Sequence, residues 1–266
     1  MSTAQPKWNA EDYAKNSGAQ LKWAQELIAK LALRGSESVL DIGCGDGKIT
    51  AQLALAAKKG KVLGIDLSED MIRLAVEQFP ATAYPNLSFQ CMDASNIHLS
   101  DKFDVAFSNA SLHWVKDHIA MLRGVHACLR PGGRILFQMG GRGNADEVFA
   151  AVEKLIEQPQ WCRYYEDFEL PYHFYRPEEY AVWLAETGFR PVRVELVPKD
   201  MQHQGMAGLK GWLRTTWFPY TDSLPVELRD VFLDELAKAY TMARPVDPLG
   251  KVHVEMVRLE VEAHAL

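Results

Sequence analysis

The chain has 266 residues, 48% hydrophobic and 24% charged, with a formal net charge of −6, as expected of a globular chain with room for one large domain or a domain plus a cap. No run approaches the roughly eighteen consecutive apolar residues of a membrane span, no dense Lys/Arg cluster offers a nucleic-acid surface, and Met1 to Tyr13 lacks an apolar signal core. The four cysteines, Cys44, Cys91, Cys128 and Cys162, lie far apart without a C-x-x-C pair, which argues against a zinc site or a disulfide framework and points to a reducing cytoplasm.

Residues 9–34 read as one or two helices, with Leu21, Ala24, Leu27, Ile28 and Leu31 at helical spacing and Gly35 as the stop. Tyr13, Asn16, Ser17 and Gln20 lie on the polar side, either a solvated face or a lid over a ligand. Ser38–Ile42 reads as a buried strand, Gly43, Gly45 and Gly47 as a turn, and Ile49–Ala57 as a helix. Glycines there let the backbone bend sharply and approach a ligand, and the helix start offers unpaired N–H groups. A nucleoside-containing cofactor at this turn is the first expectation. The dinucleotide fingerprint G-x-G-x-x-G needs a third glycine where Lys48 stands. Asp41, two residues before the first glycine, would repel a pyrophosphate but suits a cation.

Lys61–Ile65 is the second strand and ends at Asp66, 23 residues beyond Gly43; an acid there can accept both hydrogen bonds of a ribose diol. Ser68 is placed to cap the next helix, and Met71 in that helix fits an adenine face or the core equally. Leu87–Met92 is the third strand, followed by Asp93 and Ala94. Phe103–Phe107, which includes Asp104, is the fourth. Asn109–Trp114 continues past its carboxyl end, where ligands sit in open α/β sheets. A helix over Trp114–Leu129 is then closed by a tight turn at Arg130-Pro131-Gly132-Gly133, and Arg134–Met139 is the fifth strand.

Four ordered features resemble the class I S-adenosylmethionine (SAM) methyltransferases over roughly residues 36–140: Asp-x-Gly-x-Gly-x-Gly at 41–47, the acidic strand tip at Asp66, Asp93-Ala94, and Leu-x-Pro-Gly-Gly before the fifth strand. Y-x-x-N-S-x-x-Q at Tyr13–Gln20 resembles the entry helix of their small-molecule branch. Asn109-Ala110-Ser111-Leu112-His113-Trp114 resembles the N-A-S-L-x-W of trans-aconitate methyltransferases, and the nearest relatives by resemblance are carboxylic-acid O-methyltransferases of the trans-aconitate and juvenile-hormone-acid type. The segment is not Asn-Pro-Pro-Tyr, which turns the reading away from nucleobase or amide methylation. The resemblance implies an α/β, Rossmann-like, doubly wound sheet of seven mostly parallel strands, the last antiparallel. It implies SAM as cofactor and S-adenosylhomocysteine as product, held by Tyr13, Ser17, Gln20, Asp41, Gly43, Cys44, Gly45, Asp66, Leu67, Met71, Asp93, Ala94, Asn109 and Ala110. It implies no metal. In this class Asp93 meets the adenine amino group.

In the second half, Ala145–Ile156 reads as a helix, 157–176 is rich in Trp, Tyr and Phe, and Pro177 opens a helix that stops at Gly188. Pro191–Val197 is the sixth strand, and the alternation Val252, Val254, Met256, Arg258, Glu260, Glu262 marks the seventh. Residues 199–249 form a polar and aromatic insertion with a helix from Val226 to about Tyr240, expected to cap the substrate. The domain reading is therefore lid helices at 1–35, a SAM-binding core at 36–198 plus 250–266, and a cap at 199–249. The expected partner is a small-molecule methyl acceptor, neither nucleic acid nor membrane, and the sequence does not specify an oligomeric state. A carboxylate acceptor is already ionised at pH 7 and needs no base; Arg214 is the expected partner for it. For a hydroxyl or acidic-carbon acceptor, His113 is the expected base. A non-catalytic SAM-binding subunit is a further reading, disfavoured by the intact glycine turn and Asp66; Lys48 disfavours an oxidoreductase.

Overall fold

The computed structural model describes residues 18–266, with side chains described from residue 22 onward. These residues divide into two compact units, one formed by Gln20–Arg142, Tyr172–Val197 and Arg258–Leu266, the other containing Gly143–Pro171 and Pro198–Val257.

The first unit carries a seven-stranded sheet. Helix α1 (Gly18–Leu31) precedes β1 (Val39–Ile42), α2 (Lys48–Ala56), β2 (Val62–Asp66), α3 (Glu69–Gln78), β3 (Leu87–Cys91), β4 (Phe103–Asn109), α4 (His118–Cys128) and β5 (Leu129–Gly140). After α5 (Asp146–Ile156) come α6 (Pro177–Glu186) and the long strands β6 (Phe189–Gln204) and β7 (Lys251–Ala265). The sheet order is β3-β2-β1-β4-β5-β7-β6. Strands β1 to β5 pair in parallel, and β7 runs antiparallel to β5. Successive residues feed opposite faces, because side chains alternate across a strand. Val39, Val105, Phe107 and Leu136 join one core with Leu27, Leu31 and Leu53 of α1 and α2. Leu40, Ala106, Ile135 and Phe137 join the other with Met121, Leu122 and Val125 of α4 and with Tyr180 and Leu184 of α6. Both faces of the inner strands are thus covered, the condition for a mostly parallel sheet.

The second unit has its own aromatic core. Helix α7 (Gly205–Thr216), the short α8 (Phe218–Asp222) and α9 (Val226–Ala243) fill the insertion, and α9 packs on both α7 and α5. Trp161 meets Phe232 edge to face at 5.2 Å, Phe168 lies 4.5 Å from Tyr220, and Phe149 lies 4.5 Å from Trp217. The polar ends of these rings find partners: Tyr165 donates to the Tyr220 carbonyl at 3.0 Å, and Trp161 Nε1 donates to Glu235 at 2.8 Å.

Several sequence-derived boundaries shift. Helix α1 ends at Leu31 rather than at Gly35, because Ala32 already adopts φ +46°. Residues 112–114 form a single 3₁₀ turn, and α4 begins only at His118, where the Asp117 carboxylate accepts the Ala120 N–H at 2.8 Å. Arg130–Gly133 does not close a turn before β5 but lies inside it as a bulge. Phe103 pairs with Leu129 and Val105 with Arg134, so two steps along β4 are matched by five along β5. Arg130 projects from this bulge to Asp104 at 2.5 Å, and the same carboxylate oxygen accepts the Ser38 N–H at 2.7 Å. Strand β6 continues to Gln204, so residues 199–204 of the insertion are strand.

Candidate functional site

The parallel strands place the carboxyl ends of β1, β2, β3 and β4 along one edge of the first unit, and the acidic and glycine residues collect there. Gly43 takes φ +73° directly after β1. A Cβ built on it would lie 2.1 Å from Ser111 Oγ, so only glycine lets the β4 extension close against this turn. Gly45, at φ +53°, faces open space. The N–H groups of this turn are already used: Gly43 and Cys44 donate to the Ile65 carbonyl at 2.8 and 3.0 Å, and Gly45 donates to the Asp66 carboxylate at 2.9 Å. A phosphate-binding turn needs those N–H groups pointing at its ligand; here they tie β1 to β2 instead.

Asp66 accepts from Gly45 with one oxygen and from Ser68 with the other, at 2.9 Å each, leaving further lone pairs on both. Burial holds its carboxyl above the usual range, against the pull of these backbone N–H groups. Asp41 is 2% exposed and accepts from Thr50 Oγ1 at 2.7 Å. Burial raises its pKa to about 7, opposed by the Thr50 bond and helped by the nearby charge of Asp66. Two carboxyls whose pKa values burial raises, near a glycine turn, suit a cationic group, which would stabilise their ionised forms.

The remaining expected cofactor contacts lie around this edge. Leu67 is exposed just after Asp66, and Ser68 caps α3 through the Met71 N–H, as its sequence position predicts. Met71 itself is buried at 3% exposure. Asp93 uses one oxygen to cap the 3₁₀ turn Ala94–Asn96, accepting from the Ser95 N–H at 2.8 Å and the Ser95 hydroxyl at 2.7 Å. Cys44 turns inward toward Gly64, its thiol pushed well up by burial and by Asp66 and Asp41. Ala110 adopts φ +57°, an unusual conformation for a residue with a Cβ, and its N–H donates to Gln138 at 2.7 Å. Asn109, 7% exposed, has neither amide oxygen nor amide nitrogen paired among the described residues. A buried amide with both ends unused is costly unless a ligand takes them. Tyr13, Asn16 and Ser17 lie outside the described residues, and so does the side chain of Gln20. The open space at Gly45, the unused Asn109 amide and the acidic donor set together fit the adenosine, ribose and ammonium of SAM, and not a pyrophosphate.

Beyond Asn109, His113 stands among aromatic rings, with Trp114, Tyr172 and Phe174 centred 6.0–6.1 Å away. The Gly140 N–H points at His113 Nδ1 at 3.4 Å. Burial, then the Arg258 guanidinium and His118, hold the imidazole well below its ordinary pKa. Arg214 is exposed on α7, between buried Leu213 and Thr215, within the second unit. Sequence reasoning missed Ser108 and Ser111, whose hydroxyls both donate to the Ile42 carbonyl at 2.7 and 2.9 Å, and Thr50 beneath Asp41. It also missed Arg258, 3% exposed. The available signal was a charge standing in the apolar stripe of Val252, Val254 and Met256.

Comparison with known proteins agrees with this geometry. The family described as "Methyltransferase domain" matches residues 39–133. An uncharacterized methyltransferase of Schizosaccharomyces pombe is 33% identical over 97% of both chains. A trans-aconitate 2-methyltransferase of Rhodopseudomonas palustris is 27% identical over 96% of this chain and 98% of its own. Among solved structures, a phosphoethanolamine N-methyltransferase 2 of Haemonchus contortus in complex with SAM superposes with a TM-score of 0.60 at 17% identity, covering 96% of this chain and 56% of that one, and so shares the fold. With a full-length relative at this identity, and a glycine turn whose N–H groups are taken up within the protein, the chain belongs to the class I SAM methyltransferases.

Proposed function

We propose that this protein methylates a carboxylate oxygen of a small organic acid. SAM, when bound, supplies a methyl group activated by its sulfonium. A carboxylate oxygen would take that methyl as its bond to sulfur breaks, the electron pair staying with sulfur, so no residue of the chain would have to act as a base. The residues expected to hold the cofactor are Asp66, Asn109, Asp41 and the glycine turn. They fix one reactant, so that much of the barrier is met by orientation, on the order of 7 kcal/mol or more in favourable systems.

The observation that carries the carboxylate reading is the state of His113. Its Nδ1 faces the Gly140 N–H, and burial keeps the ring neutral. A neutral imidazole that accepts at Nδ1 carries its hydrogen on Nε2, where it can donate to an anionic acceptor but cannot remove a proton from a hydroxyl or a carbon. An acceptor that needs no base fits such a site. The trans-aconitate 2-methyltransferases among the relatives support the same class, as does the resemblance of Asn109–Trp114 to the N-A-S-L-x-W pattern. Trp114, Tyr172 and Phe174 supply apolar walls beside His113.

A transfer assay with methyl-labelled SAM over trans-aconitate, other small carboxylic acids, phenols and amines tests the reading. Turnover of carboxylic acids is expected, with a rate at saturating SAM independent of pH between about 6 and 8. Turnover of phenols or amines alone would reject it.

A further inference from the structure

Arg258 is a charged side chain with 3% exposure at the same edge of the first unit as His113. The ladder between β5 and β7 sets Gly140 opposite Arg258, and the Gly140 N–H is the group that faces His113 Nδ1. One rung of the sheet therefore positions both side chains. The guanidinium lies over the Trp23 ring of α1, 5.8 Å from its centroid, which places a polarisable face against its apolar side.

A buried guanidinium is among the least common occupants of a protein interior. It is also the group best matched to a carboxylate, which it meets through two parallel N–H bonds. A carboxylate entering an aromatic-walled site loses its hydration and needs a charged donor there. We propose that Arg258 is the residue that binds the acceptor's carboxylate, with the Nε2–H of His113 as the second donor. The proposal rests on the carboxylate reading above and names the residue that recognises this class. It gives a use to the cation that follows Val252, Val254 and Met256 on the buried stripe of β7. It also agrees with the lowered pKa of His113, which burial sets first and the neighbouring Arg258 charge adds to. The cation provides the charge and the imidazole a directed hydrogen bond, while the reacting oxygen keeps a second lone pair for the methyl group.

The test uses the full chain loaded with S-adenosylhomocysteine and titrated with trans-aconitate. Trp23 reports binding by fluorescence, and a Trp23→Phe variant identifies its share of the signal. Arg258→Met is expected to weaken trans-aconitate binding and raise its KM by tenfold or more, with S-adenosylhomocysteine affinity within twofold of wild type. Arg258→Lys, which keeps the charge and loses the fork, should show the same selective rise to a smaller degree, and it carries the test if the Met variant does not fold. Unchanged KM and binding in both variants would overturn the assignment while leaving the carboxylate reading in place. So would a parallel loss of S-adenosylhomocysteine affinity and melting temperature in both, which would make Arg258 structural. If wild-type protein methylates phenols or amines and no carboxylic acid, the carboxylate reading fails, and this assignment falls with it.

Discussion

The glycine-turn edge of the first unit and the helical second unit are built on opposite terms. The first is polar, locally strained and held by hydrogen bonds within one run of chain, Asp41–Met71: Gly45 to Asp66, Met71 to Ser68, Thr50 to Asp41. The second is a cluster of rings brought together from distant segments, with Trp161 against Phe232 and Phe149 against Trp217. The difference teaches where a sequence speaks. A turn that must bind a ligand fixes residue types at fixed spacing, whereas a packed aromatic core accepts many arrangements of similar volume.

The largest effect that would test this contrast is on the turn. Gly45→Val should abolish S-adenosylhomocysteine binding, because it places a branched side chain in the open space at a residue with φ +53°. Calorimetric binding within tenfold of wild type would show that the ligand lies elsewhere. Next comes the second unit's core: Phe232→Ala removes a fully buried ring and should cost about 3–5 kcal/mol in denaturant unfolding. A loss under about 1 kcal/mol would mean that the ring cluster is not what holds that unit together.

Asp66→Ala should weaken S-adenosylhomocysteine binding by about 1.5–3 kcal/mol, since a charged acceptor is lost, and should also loosen the turn, because Gly45 and Ser68 lose their partner. Equal affinity in the two proteins would remove Asp66 from the site.

The last effect is spread over a range of pH and concerns Asp41. Its folded pKa, about 7, lies above the unfolded value, so the folded state holds its proton longer. The associated stability is full below the unfolded pKa of about 4 and is lost as pH rises toward 7, by at most about 1.4 kcal/mol per pH unit. Asp41→Asn should remove this slope, gaining on wild type between pH 5 and 7.5 in cofactor-free unfolding experiments. Cofactor affinity of the wild type, which benefits from an ionised Asp41, should strengthen over the same interval. Parallel pH curves for the two proteins would contradict the assigned proton.

The sequence revealed most of what depends on neighbours in the chain. The strand tips, the Ser68 cap, the acid at the end of β2 and a sheet of seven mostly parallel strands with the last antiparallel follow from periodicity, glycine spacing and family resemblance, and the structure places them accordingly. Hidden were the features set by residues far apart. Ser111 against Gly43, Arg258 opposite Gly140 and the unpaired amide of Asn109 come from sheet register, which no local pattern encodes. Arg130-Pro131-Gly132-Gly133 was misleading for a related reason: turn residues also serve a bulge, and only the pairing partner tells the two apart.

That bulge has a consequence for anyone who needs to label or cut the chain. Gly132 is exposed and nothing crowds it, and it sits at the start of the parallel strands, the rim away from the glycine turn. The latch of Arg130 on Asp104 anchors the loop's first residue, so a peptide spliced between Gly132 and Gly133 would leave from a fixed base. A fluorophore or affinity handle could be carried there without altering any residue assigned to the cofactor or to the acceptor.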